Sequence, residues 1–204
     1  MSQGIVNITS DQKQRRRFLI NATVILGAVG TGGLLVPFVK SMSPSDRART
    51  AGAPIQVDIS RLQMGEQLTI LWRRKPVWVL RRDDAVFTRL QDEKLRDRLR
   101  DPDSAVESQQ PVYAQNEFRS INSEYLVVVA LCTHLGCVPN YRPELAPDDL
   151  GDDWPGGYFC PCHGSMFDLA GRVYKGVPAP TNLVIPPYQY LTDSLIEIGT
   201  SKAV

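Results

Sequence analysis

Cys132-Thr133-His134-Leu135-Gly136-Cys137 and Cys160-Pro161-Cys162-His163-Gly164-Ser165 are the two stretches on which the reading of this chain turns. They contain all four cysteines and both histidines of the 204 residues. Every good soft-metal ligand therefore sits in two short boxes with 22 residues between them. Each box offers a Cys and a His two or three positions apart, close enough for two loops to face one metal centre.

Several chemistries compete for such donors. A structural zinc site can use four of the six, although zinc knuckles pair their cysteines as C-x-x-C, whereas here the spacings are C-x-H and C-x-C-H. A thiol-redox site on Cys160-Pro161-Cys162 leaves both histidines and the first box unexplained. Two structural disulfides suit an oxidising compartment and also leave the histidines idle. A 2Fe-2S cluster with two thiolates on one iron and two imidazoles on the other draws a Cys and a His from each box, the ligation of a Rieske centre.

Working outward, the run Phe18 to Val39 is uncharged for 22 residues. As a helix it would span roughly 33 Å, against a bilayer core of about 30 Å. Lys13, Arg15, Arg16 and Arg17 precede it and Lys40 alone follows, so the positive-inside bias puts the N-terminus in the cytoplasm and the remainder outside. Gln14-Arg15-Arg16-Arg17-Phe18-Leu19 is similar to a twin-arginine export signal, an address for proteins that cross the membrane already folded. Folded export suits a cofactor inserted in the cytoplasm. Ala51-Gly52-Ala53 has the small-x-small form of a cleavage site but stands more than ten residues past the apolar run, so the segment is expected to remain as an anchor.

Hydrophobic content of 43% and charged content of 22% are those of an ordinary folded domain. Of 23 basic and 22 acidic residues, five and one lie in the first forty, leaving 18 against 21 in the body. That mildly acidic body carries no basic stripe, which sets nucleic-acid binding aside.

The chain thus divides into a cytoplasmic segment 1–17, an anchor 18–40, a linker 41–54 and a metal-binding domain 55–204. Residues 41–54 are small, polar, proline and charged without a period, a flexible tether about 20 Å long as a coil. Strands are expected over 55–59, 67–72, 76–81, 125–131, 157–159, 166–169, 183–185 and 195–198, forming antiparallel sheets packed as a mainly β sandwich. One helix is expected from Asp83 or Asp84 to about Leu99, capped by those aspartates and striped by Val86, Leu90, Leu95 and Leu99.

The two boxes, the anchor and the twin-arginine start together resemble the Rieske iron-sulfur subunit of the bacterial ubiquinol:cytochrome c reductase, the cytochrome bc complex. This resemblance implies a Rieske-type sandwich with a cluster-binding subdomain at about 131–181. It implies one 2Fe-2S cluster held by Cys132 and Cys160 on the buried iron and His134 and His163 on the outer one. Cys137 and Cys162 would form a disulfide, His163 would meet quinol, and Leu135 would touch the quinol pocket of cytochrome b. Gly176-Val177-Pro178-Ala179-Pro180 resembles the proline loop that covers the cluster. Ser165 matches the serine that donates to a cluster sulfide. Many members continue His-Tyr-Asp, the tyrosine donating to a cysteine sulfur, where this chain has Met166-Phe167-Asp168. The lost donor implies a lower reduction potential than in tyrosine-bearing members.

The implied activity is oxidation of ubiquinol with coupled proton release and delivery of the electron to a membrane-bound c-type cytochrome, within a dimeric complex of the bacterial inner membrane that contributes to proton translocation. Another exported Rieske carrier, such as an arsenite oxidase small subunit, shares the boxes. The linker, the helix before the first box and the proline loop favour the quinol enzyme.

Overall fold

The computed structural model describes residues 10–45 and 52–200. The chain divides into two units, Met1–Arg49 and Thr50–Val204.

Among the described residues, the first unit holds one helix, α1 (Ser10–Ser41). It takes in the whole apolar run, the arginines ahead of it and Lys40 in its last turn. None of its residues is buried, a costly exposure in water and the ordinary state of a single helix in lipid. Among the described residues it is the one helix long and apolar enough to cross a membrane. Because α1 runs through Ser41, the first residue assigned above to the linker is helical. Residues 46–51 of that linker, Ala51 of the small-x-small site and residues 1–9 of the export segment lie outside the described residues.

Among the described residues, the second unit holds nine strands in three antiparallel sheets of three. One sheet joins β1 (Ile55–Asp58), β9 (Leu195–Ile198) and β8 (Tyr188–Thr192) in that order. The next runs β2 (Gln67–Trp72), β3 (Lys75–Arg81) and β4 (Tyr125–Val129). The last runs β5 (Asn140–Arg142), β6 (Gly157–Cys160) and β7 (Ser165–Phe167). The five residues of β4 read Tyr-Leu-Val-Val-Val and are all buried, as an unbroken apolar run requires when both faces of a strand are covered. One hydrophobic core draws on all three sheets, with Val79, Leu126, Tyr158, Phe167 and Ile196 fully buried in it. Cys132 and Cys160 belong to that core, so the metal boxes are rooted in its dry interior.

The helix expected from Asp83 or Asp84 to Leu99 is two, α2 (Asp84–Leu90) and α3 (Glu93–Arg98). Asp83 caps the first through its carboxylate, which accepts from Val86 N at 2.9 Å. Asp92 interrupts the run by capping the second, accepting from Lys94 N at 2.9 Å. The break lets the apolar stripe serve two places: Val86 and Leu90 pack with Leu169 and Ala170, whereas Leu95 and Leu99 enter the main core.

Two strands were not expected, β5 and β8. Residues 183–185, expected as a strand, form none; Val184 O instead accepts from Val129 N at 2.8 Å, and Ile185 N donates to Gln109 O at 2.8 Å. The end of β7 is fixed by a buried ion pair, Arg172 Nε to Asp168 Oδ2 at 2.7 Å, with Asp168 also accepting from Ala170 N and Arg172 N.

Candidate metal centre

Sheet topology brings the two boxes together. The second box is the turn of the β6–β7 hairpin, closed by the pair Cys160 and Ser165. The first box leads into β5, whose Asn140 pairs with Phe159 beside Cys160. Both loops therefore emerge at one end of the same small sheet.

Each loop is wound the same way. Gly136 N donates to Cys132 O at 2.8 Å and Gly164 N donates to Cys160 O at 3.0 Å. Both glycines have left-handed backbones, with φ of 81° and 74°, a conformation that side chains resist. In the first box Cys132 N also donates to Cys137 O at 2.7 Å.

Cys137 and Cys162 are joined in a disulfide with their Cα atoms 6.7 Å apart, which staples loop to loop. The sulfurs of Cys137, Cys160 and Cys162 lie within 4.8 Å of one another. Two of these three are consumed by the disulfide, so Cys132 and Cys160 are the free thiols, both buried. Burial pushes the Cys160 thiol above its ordinary pKa, with the neighbouring Cys132 thiol adding to the rise. The rings of His134 and His163, one from each box, meet edge to face, centroids 4.7 Å apart and planes at 89°. His134 is half-buried and His163 exposed. His134 Nδ1 is buried and makes no hydrogen bond, although buried polar nitrogens are nearly always satisfied. A metal ligand is what such a nitrogen lacks, so two thiols, two imidazoles and an unpartnered ring nitrogen form a donor set that fits a bound metal group. Cys2His2 chemistry alone suits tetrahedral zinc as well as a 2Fe-2S cluster.

The remaining residues singled out by sequence gather around these loops. Leu135 stands 70% exposed at the tip of the first box. Ser165 is fully buried, its hydroxyl oxygen accepting from Ala179 N at 3.0 Å. Phe167 is also fully buried and pairs across the hairpin with Tyr158. Gly176 adopts a left-handed φ of 76° and turns the chain into the proline loop, where Pro178 and Pro180 face outward and Ala179 is buried.

Two residues of this region escaped the sequence reading. Thr133 donates through Oγ1 to Thr181 O at 2.7 Å, tying the first box to the end of the proline loop. Arg100 donates from Nη1 to Ala179 O and from Nη2 to Val177 O, both at 3.0 Å. Neither carries a local signal, because the partners lie far along the chain.

Residues 58–189 match the family described as "Rieske [2Fe-2S] domain", and residues 6–45 match "Ubiquitinol-cytochrome C reductase Fe-S subunit TAT signal". The ubiquinol-cytochrome c reductase iron-sulfur subunit of Allochromatium vinosum is 57% identical over 190 residues, covering 93% of this chain and 90% of that one. Its namesake from Blastochloris viridis is 42% identical, covering 93% of this chain and 94% of its own. Among solved structures, a chain of a hyperthermophilic respiratory complex III aligns with a TM-score of 0.46 and 26% identity, covering 86% of this chain and 96% of that one. The Rieske match resolves the choice that the donor set left open, in favour of a 2Fe-2S cluster over zinc. The export-signal match and the apolar α1 fit a membrane-anchored, exported domain. This chain belongs to the family of ubiquinol-cytochrome c reductase iron-sulfur subunits and carries its Rieske [2Fe-2S] domain.

Proposed function

We propose that this chain is the mobile electron-transfer subunit of a ubiquinol:cytochrome c oxidoreductase, with Cys132 and Cys160 binding one iron of its cluster and His134 and His163 the other. The observation that carries the assignment is that each box supplies one buried free thiol and one ring of the orthogonal His134–His163 pair, with the buried Nδ1 of His134 left without a partner. When bound, the cluster supplies a one-electron acceptor, made easier to reduce than an all-cysteine one because two neutral imidazoles replace two anionic thiolates.

The protein's own residues divide the remaining work. Exposed His163 presents its outer ring nitrogen to quinol, accepts a hydrogen bond from the hydroxyl and takes its proton as the electron leaves. Half-buried His134 is the less accessible of the two. Leu135 offers an uncovered apolar surface beside them for the wall of a quinol pocket. The disulfide and the proline loop hold the two boxes in register and keep water from the buried thiols.

In this reading the partners are a cytochrome b subunit, which forms the quinol pocket, and a membrane-bound c-type cytochrome that receives the electron, in a dimeric complex. Helix α1 crosses the bacterial inner membrane once, with the arginines cytoplasmic and the Rieske domain periplasmic. The segment after Ser41 up to Pro54 is the tether on which residues 55–204 travel between partners, with residues 131–181 forming the cluster-binding part.

The deciding experiment is iron and labile-sulfide analysis of the membrane-extracted protein with low-temperature EPR of the reduced state, together with its pH-dependent midpoint potential. The proposal expects equal iron and sulfide, a Rieske-type signal, and a potential that falls with pH in the alkaline range. Zinc in place of iron defeats the cluster reading, and a potential flat with pH defeats the proton coupling at His163.

A further inference from the structure

We propose that Arg100 is a positioning residue of the metal centre: its forked grip on the proline loop sets Ala179, and Ala179 in turn sets the direction of the Ser165 hydroxyl. The inference rests on the cluster reading above.

The loop cannot hold itself. Pro178 and Pro180 have no N–H, so this stretch has few donors with which to satisfy its own carbonyls. Val177 O and Ala179 O are satisfied from outside, each by one arm of the Arg100 guanidinium at 3.0 Å. A planar fork reaching two acceptors fixes both distance and angle, which a lysine ammonium at the same place does not do.

Arg100 is itself held in place. Its N–H donates to Val173 O at 2.9 Å, Lys175 N donates to Arg98 O at 2.9 Å, and Leu99 bridges Tyr174 between them. The segment that carries the fork is thus paired with the residues just before the loop it grips. Beyond the loop, Asn182 Nδ2 donates to Asp101 O at 2.9 Å and Thr133 Oγ1 to Thr181 O at 2.7 Å. The two ends of the loop are anchored independently, and Arg100 supplies the hold in between.

The grip is passed on through Ala179. Its N–H donates to Ser165 Oγ at 3.0 Å. A hydroxyl has one proton, so an oxygen that accepts from Ala179 keeps that proton for donation elsewhere. Ser165 pairs across the hairpin with Cys160, which places the hydroxyl next to a proposed iron ligand. A donor there stabilises the more negative, reduced state. Release of Ala179 O by loss of the fork frees the amide, and the hydroxyl loses its fixed direction.

The test is redox titration followed by EPR on the membrane-bound complex carrying Arg100→Lys, Ser165→Ala, or both. Arg100→Lys keeps the charge and removes the fork. The expected result is a normal cluster content with a lowered midpoint potential in Arg100→Lys, and no further lowering when it is added to Ser165→Ala. Arg100→Gln, the second variant, is expected to lower the potential at least as far. A wild-type potential in Arg100→Lys, or shifts that simply add in the double variant, overturns the proposal. Absence of a Rieske signal in the unmutated protein removes the cluster reading itself, a result visible before any variant is made.

Discussion

Ser165 and Ala179, one on a strand of the metal hairpin and the other in the proline loop, are joined by a hydrogen bond of 3.0 Å in which the Ala179 amide donates and the Ser165 hydroxyl accepts. Replacing Ser165 with alanine does two separable things. It leaves a buried amide unsatisfied, costing about 1–3 kcal/mol, and it removes a donor from beside Cys160. Thermal unfolding of Ser165→Ala is expected at lower temperature and its midpoint potential below that of the parent protein. An unaltered potential with lowered stability would mean that the hydroxyl serves packing alone.

Phe167 is fully buried at the position where the family resemblance leads one to expect tyrosine. Phe167→Tyr restores a hydroxyl that can donate to a cysteine sulfur. The midpoint potential should rise, as read by redox titration of the EPR signal. A potential that stays level or falls rules out this account of the tuning.

The disulfide between Cys137 and Cys162 closes a loop with a sequence separation of 25. Loop-closure entropy for that length corresponds to about 3.5 kcal/mol of stability. The double variant Cys137→Ser, Cys162→Ser should therefore melt earlier in calorimetry and lose its iron faster to a chelator, because two loops then drift independently. Equal rates of iron loss would show that the sheet alone keeps the boxes together.

Alkaline conditions should unfold this domain. Burial pushes the hydroxyls of Tyr158, Tyr174, Tyr188 and Tyr190 well above their ordinary value, and Tyr113, Tyr125 and Tyr141 shift in the same direction. A raised folded value contributes stability below the unfolded value near 10, and loses it as pH climbs from there. Arg82 and Arg119 oppose this, since burial holds both down to about 10 and the folded state sheds their protons first. The seven tyrosines outnumber them. Denaturant midpoints of the detergent-extracted chain should be level between pH 7 and about 9 and fall beyond about 10.

What could be read in the sequence was whatever is local. The ligand boxes are legible because a metal centre needs its donors on short loops. Asp83 announces a helix start because its carboxylate reaches an amide three residues on. Leu126 to Val129 betray a doubly covered strand because they are apolar without interruption. The short β5 is a strand only because β6 lies beside it, and its three residues are too few to establish a period. The break at Asp92 was hidden because the apolar stripe continues across it while its two halves enter different clusters. Arg82, Arg119 and Arg172 are buried, which charge alone would not indicate. Their compensation comes from distant carbonyls such as Phe118 O, Leu183 O and Leu90 O, and from Asp168. Arg100 is the same case at the metal centre, its acceptors lying 77 and 79 residues away.

The hairpin turn that carries the second box passes from a buried Cys160 to an exposed His163 in three residues. If electrons enter at that edge, they have the same short way out, and a molecule seated there leaves no room for another. Donor and acceptor must then take turns at one doorway, so a reduced head cannot collect from quinol again until it has discharged elsewhere.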